Sequence, residues 1–409
     1  MKYKHIYLFI LFFSILVTLF LFKMYKDNQV EDNQVEDNQV ENLKIVDAIV
    51  PKEIRTRLQI LNRLELGFKS NHIDILKETD EELVLITING NTDTVKGPPK
   101  IEPLKIYKIF LNKNTKKIRE ELIFTIQNNL RSGDVLTIGD DIYISFTSLA
   151  NNNHAQLNLG KLQKNNEKNY VYKDLFKTNT IAPPLNTSQA GGKLLHLKNK
   201  NSLLMIIGDY SRSDLSKKES SLLSKSIIFS LDTFEYKIFS KGHRNPQGLA
   251  YSSLLKKIIQ TEHGASGGDE INILEENKHY GWPFETYGIP YHLNPANLIY
   301  GDYGGASYGT HQNFEEPLFA FIPDIGIASI MQLPLDQTEF PVWENDFIFC
   351  SLSHGLFRAK IKNSEYPRLV LYEHIDSKGC RDIVITKEGK IITNHSFFYT
   401  RNQEFLQEF

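Results

Sequence analysis

The sequence predicts an all-β fold, and three observations lead to that prediction. Short runs rich in β-branched and aromatic residues recur along the chain, and turn residues separate them. The composition, with 41% hydrophobic and 23% charged residues, is that of a globular protein. The 409 residues have room for one large domain or two ordinary ones. Many short strands at this spacing are typical of a sandwich, a barrel or a propeller.

The N-terminal segment is typical of a membrane anchor. Ile6–Phe22 is apolar apart from Ser14 and Thr18, and lysines flank it on both sides. A helix of that length spans roughly 25 Å, enough for a bilayer core. A cleaved signal peptide is the alternative, but no small-residue cleavage site follows the apolar run. We expect residues 1–26 to form one uncleaved transmembrane helix, with the following domain periplasmic or extracellular.

A repetitive segment follows the apolar run. The pentapeptide DNQVE occurs three times between Asp27 and Glu41, and each copy has a single apolar residue. So little apolar surface does not offset the entropy of ordering the chain. We therefore interpret residues 27–45 as a flexible linker.

The remaining residues, 46–409, form the predicted β domain. An early segment, Lys52–Leu66, instead has the rhythm of a helix. The clearest predicted strands are Glu82–Gly90, Lys105–Leu111, Glu121–Ile126, Asp141–Phe146, Ser202–Asp209, Ser226–Leu231 and Asp346–Leu352.

Charge and cysteine content exclude several classes of function. The net charge is −2, whereas nucleic-acid binding needs a clustered basic surface, so we expect no nucleic-acid partner. The two cysteines, Cys350 and Cys380, form no CxxC motif, and neither a zinc site nor a redox pair is indicated. A disulfide between them is possible, but two buried thiols are the simpler interpretation.

The segment from Gly242 to Pro283 is the most informative part of the chain. It reads GHRNPQGLAYSSLLKKIIQTEHGASGGDEINILEENKHYGWP and combines an arginine, side-chain amides, glycines and an acidic pair. Polar and turn residues at this density, between predicted strands, indicate loops that present a binding or catalytic site.

This segment resembles the glucose/sorbosone dehydrogenase family. GHRNPQGLA, TEHG, GGDEIN and HYGWP occur in that family's order and spacing. The similarity continues more weakly through FPVW, SLSHGLFR and CRDI. It implies a six-bladed β-propeller that holds pyrroloquinoline quinone (PQQ) and calcium. It also implies oxidation of an aldose or related sugar alcohol, with an external electron acceptor.

The resemblance assigns cofactor contacts to four positions. Arg244 and Asn245 match the family's cofactor-binding pair, and a structural loop is the alternative role. Ser353 stands where relatives place a lysine on the quinone, with His354 beside it. Only Arg381 remains of an Arg-x-Arg motif. Losing a charged hydrogen bond costs roughly 1.5–3 kcal/mol, so we expect weakened cofactor binding.

The resemblance assigns calcium to two places. The backbone carbonyls of Gly264 and Ala265 match an active-site calcium, with alanine in place of the usual proline. Glu270 and Tyr280 match a second, structural calcium site. The alternative there is a glutamate that accepts hydrogen bonds from loop amides beside a packed tyrosine.

The catalytic positions depart most from the family. Gln189 stands where the catalytic histidine is expected, and Asp209 matches the acid that orients it. A neutral amide does not accept a proton near pH 7, whereas histidine does. Two functions therefore stay open: a sugar dehydrogenase with a partly degraded site, and a non-catalytic propeller that binds a carbohydrate or protein partner.

Overall fold

Most of the described chain consists of β-strands. The computed structural model describes residues 52–53, 62–65, 70–90, 100–115, 117–150, 153–183, 185–289 and 307–399. The strands up to residue 197 are β1 (Lys52–Glu53), β2 (Asn62–Glu65), β3 (His72–Glu78), β4 (Glu82–Asn89), β5 (Glu102–Asn112), β6 (Ile118–Asn129), β7 (Arg131–Ile138), β8 (Asp141–Leu149), β9 (Ala155–Lys164), β10 (Tyr170–Lys177) and β11 (Gly191–Leu197).

The second half continues the same pattern. Its strands are β12 (Ser202–Ile207), β13 (Lys225–Ser230), β14 (Tyr236–Lys241), β15 (Asn245–Ser252), β16 (Lys257–His263), β17 (Asp269–Leu274), β18 (Glu285–Thr286), β19 (Ser307–Tyr308), β20 (Phe319–Phe321), β21 (Ile327–Gln332), β22 (Phe347–Ser351), β23 (Gly355–Lys362), β24 (Arg368–Asp376), β25 (Ile383–Ile385), β26 (Ile391–Thr393) and β27 (Ser396–Tyr399). The described helical elements are one short α-helix, α1 (Ser213–Ser216), and 3₁₀ turns at Thr187–Gln189, Lys198–Lys200 and Pro341–Trp343.

These strands form sheets that close into a ring. Within the described residues, five sheets have four strands each, in the orders β3-β4-β5-β6, β7-β8-β9-β10, β11-β12-β13-β14, β15-β16-β17-β20 and β25-β26-β27-β2. A further sheet has five strands, β21-β22-β23-β24-β1, and β18 pairs with β19. The first strands β3, β7, β11, β15, β21 and β25 contact one another in turn, and β25 contacts β3. The fold is therefore an all-β propeller.

The predicted six-bladed propeller needs a correction, because the described residues do not form six sheets of the four strands usual for a blade. Five sheets have that form, and the other large sheet carries β1 as a fifth strand, paired in parallel with β24. Covering the outer edge of β24 in this way satisfies backbone groups that an edge strand otherwise exposes.

The hydrophobic core lies between the faces of neighbouring sheets. Ile86 and Ile106 of the first sheet belong to the same buried cluster as Val135 and Ile144 of the next. Because each sheet is covered on both faces, a central strand such as β4 is buried along most of its length. The predicted strands are confirmed here, including those now seen as β4, β5, β8, β12 and β22.

The prediction of a helix over Lys52–Leu66 is wrong where that segment is described. Lys52–Glu53 and Asn62–Glu65 are strands that pair with β24 and β27, more than three hundred residues along the chain. Pairing with distant strand edges overrides the local helical pattern. That pairing cannot be predicted from a single sequence.

The expectation of two free thiols is also wrong. Cys350 on β22 and Cys380 form a disulfide with their Cα atoms 5.2 Å apart. Both side chains are buried, and the bond joins β22 to the segment that leads into β25.

The predicted membrane anchor (residues 1–26) and linker (27–45) lie outside the described residues. Among the residues that are described, no helix has the length and apolar character needed to cross a membrane.

Candidate functional site

Arg244 is the centre of the candidate site. It lies in the turn before β15 and is 2% exposed, which is rare for an arginine. Its Nη1 donates hydrogen bonds to the carbonyl oxygens of His263 (3.2 Å) and Gly264. Its guanidinium also lies 5.4 Å from the ring centroid of Trp282, within the range of a cation–π contact.

Asp209 follows β12 and contacts the same centre. Its backbone N–H donates to the carbonyl of Arg244 (2.9 Å), and its Oδ2 accepts from Trp282 Nε1 (2.9 Å). Its Oδ1 accepts from the backbone N–H of Ser211 (2.8 Å). Burial raises the pKa of Asp209 to about 6, although the charge of Arg244 and these hydrogen bonds act in the opposite direction.

Gln189 lies at the end of the 3₁₀ turn before β11 and is buried. Its backbone carbonyl accepts from the N–H of Tyr210 (3.2 Å), so it lies beside the Asp209 loop. The side-chain contact, however, is with Ser211, whose Oγ donates to Gln189 Oε1 at 2.6 Å. Ser211 thus connects the two predicted catalytic positions.

Gly264 and Ala265 follow β16 and are buried. The Gly264 carbonyl, which the resemblance assigns to calcium, accepts a hydrogen bond from Arg244. The Gly264 N–H donates to Asp269 Oδ1 (3.2 Å), which fixes the turn. The guanidinium of Arg244 is therefore bound to the carbonyl oxygen that was predicted to coordinate calcium. In this arrangement the residues do not fit the ion.

Glu270 and Tyr280 are both buried but have separate partners. Glu270 Oε1 lies 3.2 Å from His311 Nε2, and its Oε2 accepts from Asn272. Tyr280 donates to the carbonyl of Ile273 (2.6 Å). The structure therefore matches the alternative of a hydrogen-bonded glutamate beside a packed tyrosine more closely than an open calcium site.

The remaining residues predicted to bind the cofactor differ in how many of their hydrogen-bonding groups already have partners. Within the described residues, the guanidinium of Arg381 has no hydrogen-bond or ion-pair partner, and burial lowers its pKa. Asn245 uses its Oδ1 to accept from Gln247, which leaves its amide N–H groups as donors. Ser353 is exposed, and its Oγ donates to Ile325 O (2.9 Å) and lies 2.8 Å from His354 Nδ1.

His263 relates the two arginines of the site. Burial lowers the pKa of His263. The charge of Asp269 opposes this shift, whereas the positive charges of Arg244 and Arg381 add to it. Both guanidinium groups therefore act on the same imidazole. Two arginines around one buried imidazole favour an anionic ligand, and within the described residues the guanidinium of Arg381 makes no ion pair.

A second buried charge cluster lies on neighbouring first strands. Lys193 Nζ on β11 lies 3.0 Å from Asp134 Oδ1 on β7 and 2.6 Å from Asp382 Oδ1 before β25. His72 Nδ1 on β3 lies 3.4 Å from Asp382. The ligand atoms of His72, Asp134 and Asp382 are close enough to hold a metal ion, but the Lys193 ammonium already supplies their positive charge.

Sequence reasoning missed Ser211, Trp282, His311 and the Lys193 cluster. Trp282 lies in the HYGWP motif and Ser211 two residues after Asp209, so proximity in sequence was an available signal for both. His311 and Asp134 are distant in sequence from the groups that they contact, and no motif marks them.

Comparison with known proteins agrees with this architecture. The family model for glucose / sorbosone dehydrogenase matches residues 138–397, and the chain therefore belongs to that family. Aldose sugar dehydrogenase YliI of Escherichia coli strain K12 is 28% identical over 268 residues, which cover 62% of this chain and 64% of the relative. The match thus spans less than two thirds of the length of that relative.

Solved structures share the fold. A crystal structure of glucose dehydrogenase has a TM-score of 0.61 at 19% identity and covers 81% of this chain and 99% of its own. The PQQ-bound aldose sugar dehydrogenase of Streptomyces coelicolor has a TM-score of 0.51 at 15% identity, with coverages of 77% and 97%. At these identities the likeness shows the fold alone.

Proposed function

We propose that this chain is a quinoprotein sugar dehydrogenase that binds PQQ but turns over slowly. Family membership supports the class of reaction, since the match covers residues 138–397. The observation that carries the site is the convergence of Asp209, Arg244 and Gly264, from three separate turns, in one buried set of contacts. The substrate class is an aldose or a related sugar alcohol.

The cationic side chains fit an anionic cofactor. Within the described residues the guanidinium of the half-buried Arg381 makes no ion pair, although the charge of Asp382 acts on it, and Asn245 offers amide donors. These two groups would hold carboxylates of PQQ, while Arg244 supplies positive charge from the same buried region. When bound, PQQ would supply the acceptor for the two electrons of the sugar.

The slow rate follows from the missing base. Gln189 accepts no proton near neutral pH, and Asp209 is 1% exposed with both carboxylate oxygens already hydrogen-bonded. General-base catalysis typically contributes about 10²–10⁴-fold. Without it, a sugar hydroxyl bound here loses its proton slowly.

Calcium stays outside this mechanism, because Arg244 occupies the Gly264 carbonyl and His311 contacts Glu270. We propose that calcium binds only after the cofactor has bound. If Arg244 turned to a cofactor carboxylate, the carbonyl would be released. Calcium should then raise the melting temperature of the protein with PQQ present and not without it.

We also propose that the propeller is anchored to a membrane and lies outside the cytoplasm. The apolar run Ile6–Phe22 supports the anchor. The buried Cys350–Cys380 disulfide supports an oxidising compartment, where such bonds persist.

The test uses purified protein with added PQQ, and it measures cofactor absorbance and sugar-dependent dye reduction. We expect wild type to bind PQQ and Arg381→Met to bind about tenfold to a hundredfold more weakly, as loss of a charged hydrogen bond predicts. Arg119→Met, at an exposed site on β6, is the matched control. Gln189→His should raise the rate at least tenfold.

Each outcome decides the proposal. No PQQ binding by either wild type or Gln189→His would refute the enzyme and leave the binding propeller. Wild-type turnover at ordinary enzymatic rates, roughly 1–10³ per second, would show that another residue acts as the base.

A further inference from the structure

The loop that carries Ser211 has an unusual backbone. Tyr210 and Ser211 are consecutive residues with positive φ angles of 54° and 58°. Residues other than glycine rarely adopt this conformation, and where they do, the surrounding structure has to hold them in it. Such strain is often found at functional sites.

Two segments are joined tightly around the strained pair. Gly208 N–H donates to Ala190 O (2.9 Å), Tyr210 N–H to Gln189 O (3.2 Å) and Asn186 N–H to Tyr210 O (2.9 Å). The Tyr210 ring is fully buried, and its hydroxyl lies 2.7 Å from Thr147 Oγ1 on β8 of the neighbouring sheet. The backbones of Gln189 and Ser211 are therefore fixed relative to each other.

This framework determines which way the Gln189 carboxamide faces. Ser211 Oγ donates to Gln189 Oε1 at 2.6 Å, so the acceptor end of the amide is already used. Among the described residues, Gln189 Nε2 has no hydrogen-bond partner. The polar group that Gln189 has left for a ligand is therefore an N–H donor.

We propose that Ser211 is a positioning residue that fixes Gln189 as a hydrogen-bond donor to a carbonyl oxygen of the ligand. The inference rests on the proposed function, in which two ligands carry such an oxygen: the quinone of the cofactor and the lactone formed from the sugar. In this role Gln189 binds a carbonyl group of the ligand and does not remove a proton from the sugar.

The decisive variant is Gln189→Glu. A carboxylate of the same shape still accepts the Ser211 hydrogen bond, but it has no N–H to offer the ligand. PQQ titrated without sugar tests the quinone as the partner. D-glucono-1,5-lactone titrated into PQQ-loaded protein tests the lactone. We expect Gln189→Glu to weaken one of these ligands at least tenfold. Its melting temperature should also fall, because the side chain at position 189 is buried and burial penalises a carboxylate.

Two serine variants complete the test. Ser211→Ala frees the carboxamide to rotate, and it should weaken the same ligand about threefold to tenfold. Ser188→Ala is the matched control, because its hydroxyl donates to Asn186 Oδ1 (2.6 Å) on the same 3₁₀ turn and should change affinity less than twofold. Wild-type affinity of Gln189→Glu for both ligands would overturn the donor role.

The positioning of Gln189 by Ser211 is also tested in the absence of any ligand. Melting temperatures of Ser211→Ala, Gln189→Ala and the double variant form a cycle, and residues that share a bond give non-additive losses. Additive losses would overturn the positioning. If wild type binds no PQQ, the proposed function fails, whereas this cycle still decides whether Ser211 holds Gln189.

Discussion

At the scale of single residues, Asp209 is a buried charge of the site whose hydrogen-bond partners are fixed. Asp209 is held by Trp282 and Ser211, and it lies beside the cationic Arg244. Burial nevertheless dominates its protonation, because the charged form loses hydration that these partners replace only in part. This carboxyl should therefore leave a signature in the pH dependence of stability.

We predict that Asp209→Asn changes this dependence. The pKa of Asp209 rises from 3.8 in the unfolded chain to about 6 in the folded protein. Its contribution to stability is full below pH 3.8 and is lost as the pH rises through about 6. Between pH 4 and pH 7 the free energy of unfolding of wild type should fall relative to the variant by up to about 3 kcal/mol.

Denaturant unfolding of both proteins over this range is the measurement. Other titrating groups are shared by the two proteins, so their effects cancel in the difference. Asp232→Asn, at an exposed turn, is the matched control. If the free energies of unfolding of wild type and Asp209→Asn change in parallel with pH, the carboxyl is not buried in the way the structure describes.

The residues of the site were predictable to an unequal degree. Motifs that are local in sequence, such as GHRNPQG, TEHG and HYGWP, identified the turns that meet at Arg244. They did not reveal that Arg244 contacts the Gly264 carbonyl, or that Ser211 contacts Gln189. Those choices depend on side-chain geometry between strands that come together only in the folded ring.

At the scale of elements, the Lys193 cluster joins first strands of adjacent sheets. Lys193 on β11 contacts Asp134 on β7 and Asp382 before β25, and His72 on β3 lies beside them. Burial acts to lower the pKa of Lys193, but the two carboxylates outweigh burial and raise it. The ammonium thus compensates two buried acids from different parts of the ring.

We predict that Lys193→Met destabilises the propeller strongly. Removing one partner of a buried ion network leaves the others uncompensated, which typically costs 3–5 kcal/mol in the free energy of unfolding, as an order of magnitude. Adding Asp134→Asn to this variant should recover part of the loss. Thermal and denaturant unfolding of the single and double variants measure both effects.

The control is an ion pair nearer the surface. Lys161 Nζ lies 2.9 Å from Asp141 Oδ2, with side chains 18% and 36% exposed. Lys161→Met should cost less than about 1 kcal/mol, because water screens that pair. Equal losses at Lys193 and Lys161 would contradict the cluster's role in holding the ring.

At the scale of the whole molecule, the N-terminal part of the domain completes the ring. β2 pairs with β27 through four residue pairs, from Asn62 opposite Tyr399 to Glu65 opposite Ser396. The outer strand of the last sheet therefore comes from the beginning of the domain. This closure was not predictable from local pattern, because a four-residue strand has no signature apart from its distant partner.

Two truncated proteins test separately whether β1 and β2 close the ring and whether Ile6–Phe22 anchors the chain to a membrane. Removal of residues 1–45 deletes the apolar run and the DNQVE repeats but keeps β1 and β2. We expect that protein to leave the membrane fraction and to keep the melting temperature of the full chain. Removal of residues 1–65 also deletes β1 and β2, which exposes the edges of β24 and β27.

The longer truncation should be less stable and should aggregate. Losing the ladder hydrogen bonds of β2, each worth about 0.5–1.5 kcal/mol, predicts a loss on the order of 2–4 kcal/mol. The exposed edges offer unpaired backbone groups to other chains, which promotes association. Melting temperature and light scattering compare the two truncated proteins. If they behave alike, β1 and β2 do not close the ring; if removal of residues 1–45 leaves the protein in the membrane, Ile6–Phe22 is not its anchor.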